Sequence, residues 1–373
     1  MHQPVRMTVL AVGAALLLAT CGPPDAPGRT ADVELLFGAE PPDTTTRFGE
    51  VSGLTQDESG RVWVADALTS EIMVFGPDGA LAFEYGTAGS GPGQFLVPCC
   101  IAFDAAGRLW VHDFGNSRYS VFATRDSGAS PLFSVPVPSS LRTVRRPITF
   151  DASGRLVDVR LAETIEGGGA TMYYRDTLGV AIDSVTLQQL PYDSLGILPV
   201  RNAGQVFFIE PPFGPQDLLA FGPAGVYARA NSRRYVVQWY DSAGAVPREI
   251  RDDDVRAPAL TQDERAEAER QIGSEARRVG VPAIELAALL PFRHTVLASL
   301  FFDESGRLWV ERTASPGEPR RADVYQSDGT RAFVATWPAD VDLSQSGWIT
   351  NDAALGIRSD TIAGQRIVRL RWR

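Results

Sequence analysis

Apolar residues in this chain come in short runs, each stopped by an acidic residue and a glycine. Ile101-Ala-Phe103 runs into Asp104-Ala-Ala-Gly107, and Arg108-Leu109-Trp110-Val111 follows. Leu300-Phe-Phe302 runs into Asp303-Glu-Ser-Gly306, and Arg307-Leu308-Trp309-Val310 follows. The same phrase stands at Asp57-Glu-Ser-Gly60-Arg61-Val62-Trp63-Val64, with a weaker copy at Asp151-Ala-Ser-Gly154-Arg155-Leu156-Val157-Asp158. Short apolar runs bounded by such turn signals predict strands rather than helices. A second turn class, Phe75-Gly-Pro-Asp78-Gly79, Tyr240-Asp-Ser-Ala-Gly244 and Tyr325-Gln-Ser-Asp328-Gly329, predicts further hairpins.

Gly60, Gly107 and Gly154 are spaced by 47 residues each time. A period of that size is the mark of β-propeller blades, four-stranded antiparallel sheets arranged around a channel. In such a blade the Asp-x-x-Gly phrase joins the innermost strand a to strand b, and the second turn class joins c to d. Counting a–b turns at Gly60, Gly107, Gly154, Gly225 and Gly306, plus a degenerate last unit from Trp348 to Trp372, predicts an all-β, six-bladed propeller over 32–373. Seven blades is the alternative if Val200 to Glu210 forms its own. Val33-Glu-Leu-Leu-Phe37 is left over before the first blade and is expected to pair with the last one, closing the ring.

One stretch breaks the pattern. Thr261-Gln-Asp-Glu264 has capping-box spacing and predicts a helix through Arg278, followed by a shorter apolar one from Ala283 to Leu290. This helical insert, about 259–291, falls between blades four and five.

The N-terminus reads as an address. Arg6 and the apolar run Met7 to Ala19 form a signal peptide, 1–20. Leu18-Ala19-Thr20-Cys21 resembles the bacterial lipoprotein signal, which implies lipid on Cys21; Thr20 is larger than the residue usual there. Gly22 after the cysteine resembles lipoproteins of the outer membrane. Residues 21–31 then read as a flexible tether. The expected location is the cell envelope, with the membrane engaged through the lipid anchor only.

The chain has 373 residues, with 35 Lys plus Arg against 45 Asp plus Glu, a formal net charge of −10. All the basic residues are Arg, so lysine Schiff-base chemistry is excluded. Net acidity without a basic tail argues against nucleic acid.

Gly89-Ser-Gly91-Pro-Gly93-Gln94-Phe95, Pro98, the Asp-x-x-Gly phrase and Asp113-Phe-Gly-Asn116-Ser-Arg118-Tyr-Ser-Val121-Phe122 resemble the NHL repeat. The whole layout is similar to six-bladed NHL-like propeller lipoproteins of bacteria. That resemblance implies the fold and leaves activity open, because such propellers include RNA binders, protein binders and enzymes. Asp113, Asn116 and Arg118 are read first as b–c loop structure.

The long segments 86–97, 138–147, 186–217, 252–293 and 311–322 fall on one face, opposite the short turns, and predict the binding face there. Arg118, Arg142, Arg145, Arg146, Arg233, Arg234, Arg320 and Arg321 belong to that face. They are the candidate ligand-binding residues for an anionic glycan, a peptide or an envelope protein. No catalytic residue, metal or cofactor is expected. His112 and His294 alone cannot build a His-rich zinc site, and Glu50 and Asn351 are the nearest acidic or amide candidates for a channel metal. Cys99 and Cys100 stand adjacent, either as a vicinal disulfide or as two buried thiols. A metal-assisted hydrolase or lyase in the channel is the alternative function. A protein-interaction scaffold is the second, and predicts an exposed stripe of Ile284, Leu286, Leu289 and Leu290.

Overall fold

Each Asp-x-x-Gly phrase forms a turn between two antiparallel strands in a computed structural model of the chain. The structure describes residues 26–37, 48–137, 142–143, 147–162, 169–176, 178–187, 198–242, 244, 248–288, 290–360 and 364–373. At the first turn Gly60 N–H donates to Asp57 O at 2.9 Å and Asp57 N–H to Arg61 O at 3.0 Å. Gly60 sits at φ 82° and Gly107 at φ 71°, where a side chain would be strained, so the turn demands glycine.

The chain begins with β1 (Gly28–Phe37). One sheet holds β2 (Val51–Gln56), β3 (Val62–Asp66), β4 (Glu71–Phe75) and β5 (Leu81–Tyr85). The next holds β6 (Pro98–Phe103), β7 (Arg108–Asp113), β8 (Arg118–Arg125) and β9 (Gly128–Pro136). In the third, β10 (Arg142–Thr143) and β11 (Thr149–Phe150) both pair with β12 (Leu156–Ala162), followed by β13 (Gly169–Arg175) and β14 (Ala181–Leu187). A separate hairpin, β15 (Leu198–Asn202) and β16 (Gln205–Ile209), precedes the fourth sheet. That sheet is β17 (Asp217–Phe221), β18 (Tyr227–Asn231), β19 (Val236–Tyr240) and β20 (Arg248–Arg251). Helices α1 (Gln262–Val279) and α2 (Ala283–Ala287) come next.

The remaining strands are β21 (Leu297–Phe302), β22 (Leu308–Arg312), β23 (Arg320–Tyr325), β24 (Arg331–Trp337), β25 (Val341–Asp342), β26 (Ala353–Asp360) and β27 (Gly364–Trp372). With β1 they form one eight-stranded sheet in the order β21-β22-β23-β24-β1-β27-β26-β25. The architecture is all-β and propeller-like, with few helices.

The apolar core runs from sheet to sheet. Trp63 and Val74 of the first sheet pack with Ile101 and Val111 of the second. Trp110 and Val121 pack with Leu156, and Val157 and Met172 with Tyr227 and Tyr240. Val237 and Trp239 pack with Leu300 and Val310, and Trp309 and Val324 with Leu370 and Trp372. Leu355 and Ile367 return to Val62 and Phe75 of the first sheet. These contacts form a closed circuit.

The leftover strand closes that circuit from the edge. β1 pairs antiparallel with β27 from Ala31 to Phe37, as its sequence predicts, and also parallel with β24 from Gly28 to Thr30. The tether expected over 21–31 is therefore shorter, because residues 28–31 already belong to a ladder. The leader 1–20 and Cys21 lie outside the described residues.

The insert forms as its capping signals predict. Thr261 Oγ1 accepts from Glu264 N–H at 3.2 Å, and Glu264 Oε2 accepts from Thr261 N–H at 2.8 Å. Gly280 at φ 73° ends α1. The second helix stops at Ala287 rather than Leu290. The buried face of α1, with Ala268, Ile272, Ala276 and Val279, packs on Ile209, Val200 and Phe207 of the β15–β16 hairpin. The segment considered for a seventh blade is thus a two-stranded partner of the helices. Leu286 and Leu290 are buried in this small core and Ile284 is exposed, so the stripe expected of a scaffold is divided; Leu289 lies outside the described residues.

Candidate functional site

Phenylalanine ends four of the inner strands, directly before the turn: Phe103 on β6, Phe150 on β11, Phe221 on β17 and Phe302 on β21. Gln56 holds that place on β2. All five line a cavity of about 410 Å³ at the turn end of the channel, with Thr55, Thr149, Glu304, Gln345 and Ile349. The rings are anchored from behind. Phe103 meets Trp63 edge-on at 5.6 Å, Phe150 meets Trp110 at 5.6 Å, and Phe302 meets Trp239 at 5.5 Å. Each tryptophan lies on the preceding sheet. Trp63 and Trp110 are in turn fixed by their motif aspartates: the indole N–H donates to Asp57 Oδ2 at 2.9 Å and to Asp104 Oδ2 at 2.8 Å. The repeat therefore orients the cavity wall of the next sheet.

Polar side chains share that wall with the rings, among them Thr55, Gln56, Thr149, Asp303, Glu304 and Gln345. Thr149 Oγ1 is buried and has no hydrogen-bond partner among the described residues. Asp303 is fully engaged by its turn, accepting from Ser305 and Arg307 N–H at 3.0 Å, from Arg307 Nε at 2.7 Å and from Trp309 Nε1 at 2.9 Å. Glu304 is different. It is exposed at the cavity rim, and partial desolvation there, and then the charge of Asp303, push its carboxyl above the usual carboxylate range. Segment 344–349 runs across the channel, tied to β2 by Gly347 N–H donating to Leu54 O at 2.8 Å. Beyond it, a smaller cavity of about 200 Å³ is lined by Glu50, Ser52, Asp342, Gln345, Ser359 and Gln365. Gln345 borders both spaces.

The larger cavity lies at the end of the short turns, opposite the face where long loops predicted the binding site. At that loop face Arg118 donates to the carbonyls of Ser90, Gly91 and Gln94 at 2.8, 3.0 and 2.8 Å, so it clamps its own glycine-rich loop. Asp113 Oδ1 accepts from Leu96 and Val97 N–H at 3.2 and 3.1 Å, and Asn116 Nδ2 donates to Asp113 Oδ2 at 2.6 Å. These are the structural roles expected of the NHL-like residues. Arg320 pairs with Glu311 at 2.7 Å and donates to Val341 O at 2.9 Å. Arg118 and Arg320 are thus half-buried and engaged by protein groups.

Arg233 and Arg234 are exposed between β18 and β19, and Arg321 is exposed on β23. Arg142 has its backbone in β10, while Arg145 and Arg146 lie outside the described residues. Of the two channel candidates, Glu50 lines the smaller cavity, and Asn351 Oδ1 accepts from Arg307 NH1 at 2.6 Å. His294 faces Glu264 Oε1 at 3.1 Å and Phe213 edge-on at 5.1 Å, on the insert side. Cys99 and Cys100 are joined as a vicinal disulfide.

Sequence reasoning missed the cavity although its signal was in plain view, a phenylalanine immediately before the turn in four units. It also missed Asp66, which is fully buried and accepts from the backbone N–H groups of Gly49, Glu50, Leu68 and Thr69 at 2.6–3.1 Å.

No family model matches the chain. NHL repeat-containing protein 3 of Homo sapiens is 30% identical over 104 residues, covering 26% of this chain and 30% of that protein. The Mus musculus protein of the same name is 32% identical over 85 residues, covering 22% and 24%. NHL-like repeats are present in a propeller-like fold. The chain spans under a third of the length of these relatives, so they carry nothing about its activity. A Bacteroides fragilis protein described as exported superposes with a TM-score of 0.53 at 11% identity, over 92% of this chain and 95% of that one. That likeness concerns the fold alone. A virginiamycin B lyase from Staphylococcus aureus aligns over 92% of this chain and 99% of its own at 11% identity, with a TM-score of 0.43, too loose to bear on chemistry.

Proposed function

We propose that this protein is a binding propeller whose ligand sits in the phenylalanine-lined cavity at the turn end of the channel. The observation that carries this reading is Thr149 Oγ1, a buried hydroxyl with no hydrogen-bond partner among the described residues, on a residue that lines the phenylalanine-bearing wall. A buried polar group is costly unless bonded, and a ligand hydroxyl or amide supplies the bond. Among the described residues no Arg lines this cavity, whereas Asp303 and Glu304 do, so the reading favours a small neutral molecule with one apolar face. Aromatic rings interleaved with hydroxyl, amide and carboxyl side chains suit a molecule with one apolar and one polar face.

Six blades follow if the eight-stranded sheet is divided at the parallel β24–β1 contact. One blade is then β21–β24 and the other β25, β26, β27 and β1. Six sheet-to-sheet clusters support this count. Lipid on Cys21 would place the ring at the envelope surface of a bacterium.

A second reading rests on Arg233 and Arg234, both exposed, whose guanidinium groups would receive an anionic glycan, peptide or envelope partner on the loop face. One thermal-shift screen of the chain from residue 26 separates the two. A neutral ligand at ~100 times its dissociation constant adds about 2.7 kcal/mol, and Thr149→Val should remove most of that shift. Shifts from anionic glycans alone, lost in Arg233→Ala with Arg234→Ala, would replace the cavity with the loop face.

A further inference from the structure

In a regular strand, adjacent side chains point to opposite faces. Cys99 and Cys100 escape that rule because Cys100 is the extra residue of a β-bulge. Cys99 pairs with His112 and Ile101 with Val111, leaving Cys100 unpaired. Its φ of 50° turns it out of the strand path, so both sulfurs reach the same side. His112, opposite Cys99 on the neighbouring strand β7, shares that side. The two sulfurs and an imidazole nitrogen lie within 4.8 Å of one another, and the three residues are only 0%, 2% and 3% exposed. His112 stacks on Tyr119 at 4.3 Å and meets Phe114 at a tilt, 4.4 Å away. The equivalent positions of the first sheet, four residues before and eight after the motif aspartate, are Gly53 and Ala65, so the donor set belongs to this sheet and not to the repeat.

We infer that Cys99, Cys100 and His112 form a redox-gated site for a divalent thiophilic cation of the zinc type. A dithiol reductant opens the Cys99–Cys100 bond. Two electrons and two protons pass to the two sulfurs while the reductant closes its own disulfide. The cation then displaces both thiol protons. A tetrahedral ion with Zn–S of about 2.3 Å and Zn–N of about 2.0–2.1 Å requires sulfurs roughly 3.8 Å apart and each about 3.5 Å from the nitrogen. Separation of the freed sulfurs within the present cluster meets that requirement, and a small fourth ligand completes the shell. Charge selects the valence. Two thiolates and a neutral imidazole cancel a 2+ ion, whereas a monovalent ion would leave a net negative charge in a buried, largely apolar setting. Surrounding Trp110, Val121, Val135 and Ile148 make that setting.

The test uses the full chain in oxidised and reduced forms, with Co²⁺ as the optical probe and Zn²⁺ as competitor. Alkylation and mass measurement establish the thiol count of each form. Reduced protein should bind one Co²⁺ with a sulfur-to-metal charge-transfer band, and Zn²⁺ should displace it; the oxidised form should show no band. His112→Phe keeps the ring stacking without a donor nitrogen and should weaken binding roughly tenfold or more. Cys100→Ser should abolish the band, and if that variant does not fold, the oxidised wild type is the control. The inference fails if protein with two confirmed free thiols gives no band. It also fails if oxidised and reduced forms bind alike, or if reduced protein unfolds in excess Zn²⁺. None of these outcomes depends on the cavity ligand.

Discussion

Asp104 holds four donors with one carboxylate. Oδ1 accepts from Ala106 and Arg108 N–H at 3.0 and 2.9 Å, and Oδ2 from Arg108 Nε and Trp110 Nε1 at 2.7 and 2.8 Å. Burial opposes its ionisation, but the Trp110 and Arg108 donors outweigh burial and hold its carboxyl below the usual range. Its stabilising contribution is therefore complete above the unfolded value near pH 4 and is lost as pH falls through the lower folded value. Asp104→Asn keeps the shape and loses the charge, and should cost about 2–3 kcal/mol, read as a lower urea midpoint at unchanged slope. A loss under ~0.5 kcal/mol would mean the clamp is incidental. Glu304 is the opposite case. Its raised folded value means that ionisation costs stability at neutral pH. Because Glu304 is exposed and its charge is screened, Glu304→Gln should raise the melting temperature only slightly at pH 7 and leave it unchanged at pH 3, where both states carry the proton; equal shifts at both would refute the electrostatic account. The spacing from Asp104 to Trp110 was visible in the sequence, but not that the indole seats Phe150 of the next sheet. That contact crosses between repeats, and spacing within one repeat does not encode it.

At the scale of the element, the clearest local signals produced the clearest agreement. Thr261 and Glu264 cap α1 reciprocally, and Asp263 and Glu264 in its first turn with Arg277 and Arg278 in its last complement the helix dipole. Thr261→Ala should cost about 1 kcal/mol and speed amide exchange in α1 while β2–β9 exchange unchanged. Uniform acceleration would show that the insert unfolds only with the blades. What the helix packs on was not legible, because its partner strands lie well upstream in the chain. Asn202 Nδ2 bridges that gap, donating to the carbonyls of Val279 and Gly280 at 2.7 and 3.2 Å, and nothing in the local pattern around Asn202 marks it for the role. The surroundings of Arg118 were illegible for a related reason. Loop position predicted that Arg118 faces solvent, whereas the carbonyls of a tight glycine-rich loop capture the guanidinium.

For the whole molecule, β1 is the joint. It satisfies β27 along one edge and touches β24 along the other, so removing it bares two ladders at once. A chain beginning at residue 38 should aggregate on size-exclusion chromatography or melt well below the chain beginning at residue 26. A monomer with the same melting temperature would show that the ring holds without its joint. Every other blade is assembled from consecutive strands, with partners a few tens of residues apart, and can form as it is made. The joint cannot. Leu36 is matched to Val368, and at ~5–20 residues per second of synthesis that separation is on the order of 20–70 s of waiting. Throughout that interval residues 31–37 of β1 have no antiparallel mate. A chain cut short before β27 leaves residues 31–37 unpaired even where β24 holds residues 28–30, so the early strand reports on the integrity of the late one, and a protease or chaperone that reads bare strand edges would sort finished copies from unfinished ones without inspecting the C-terminus itself.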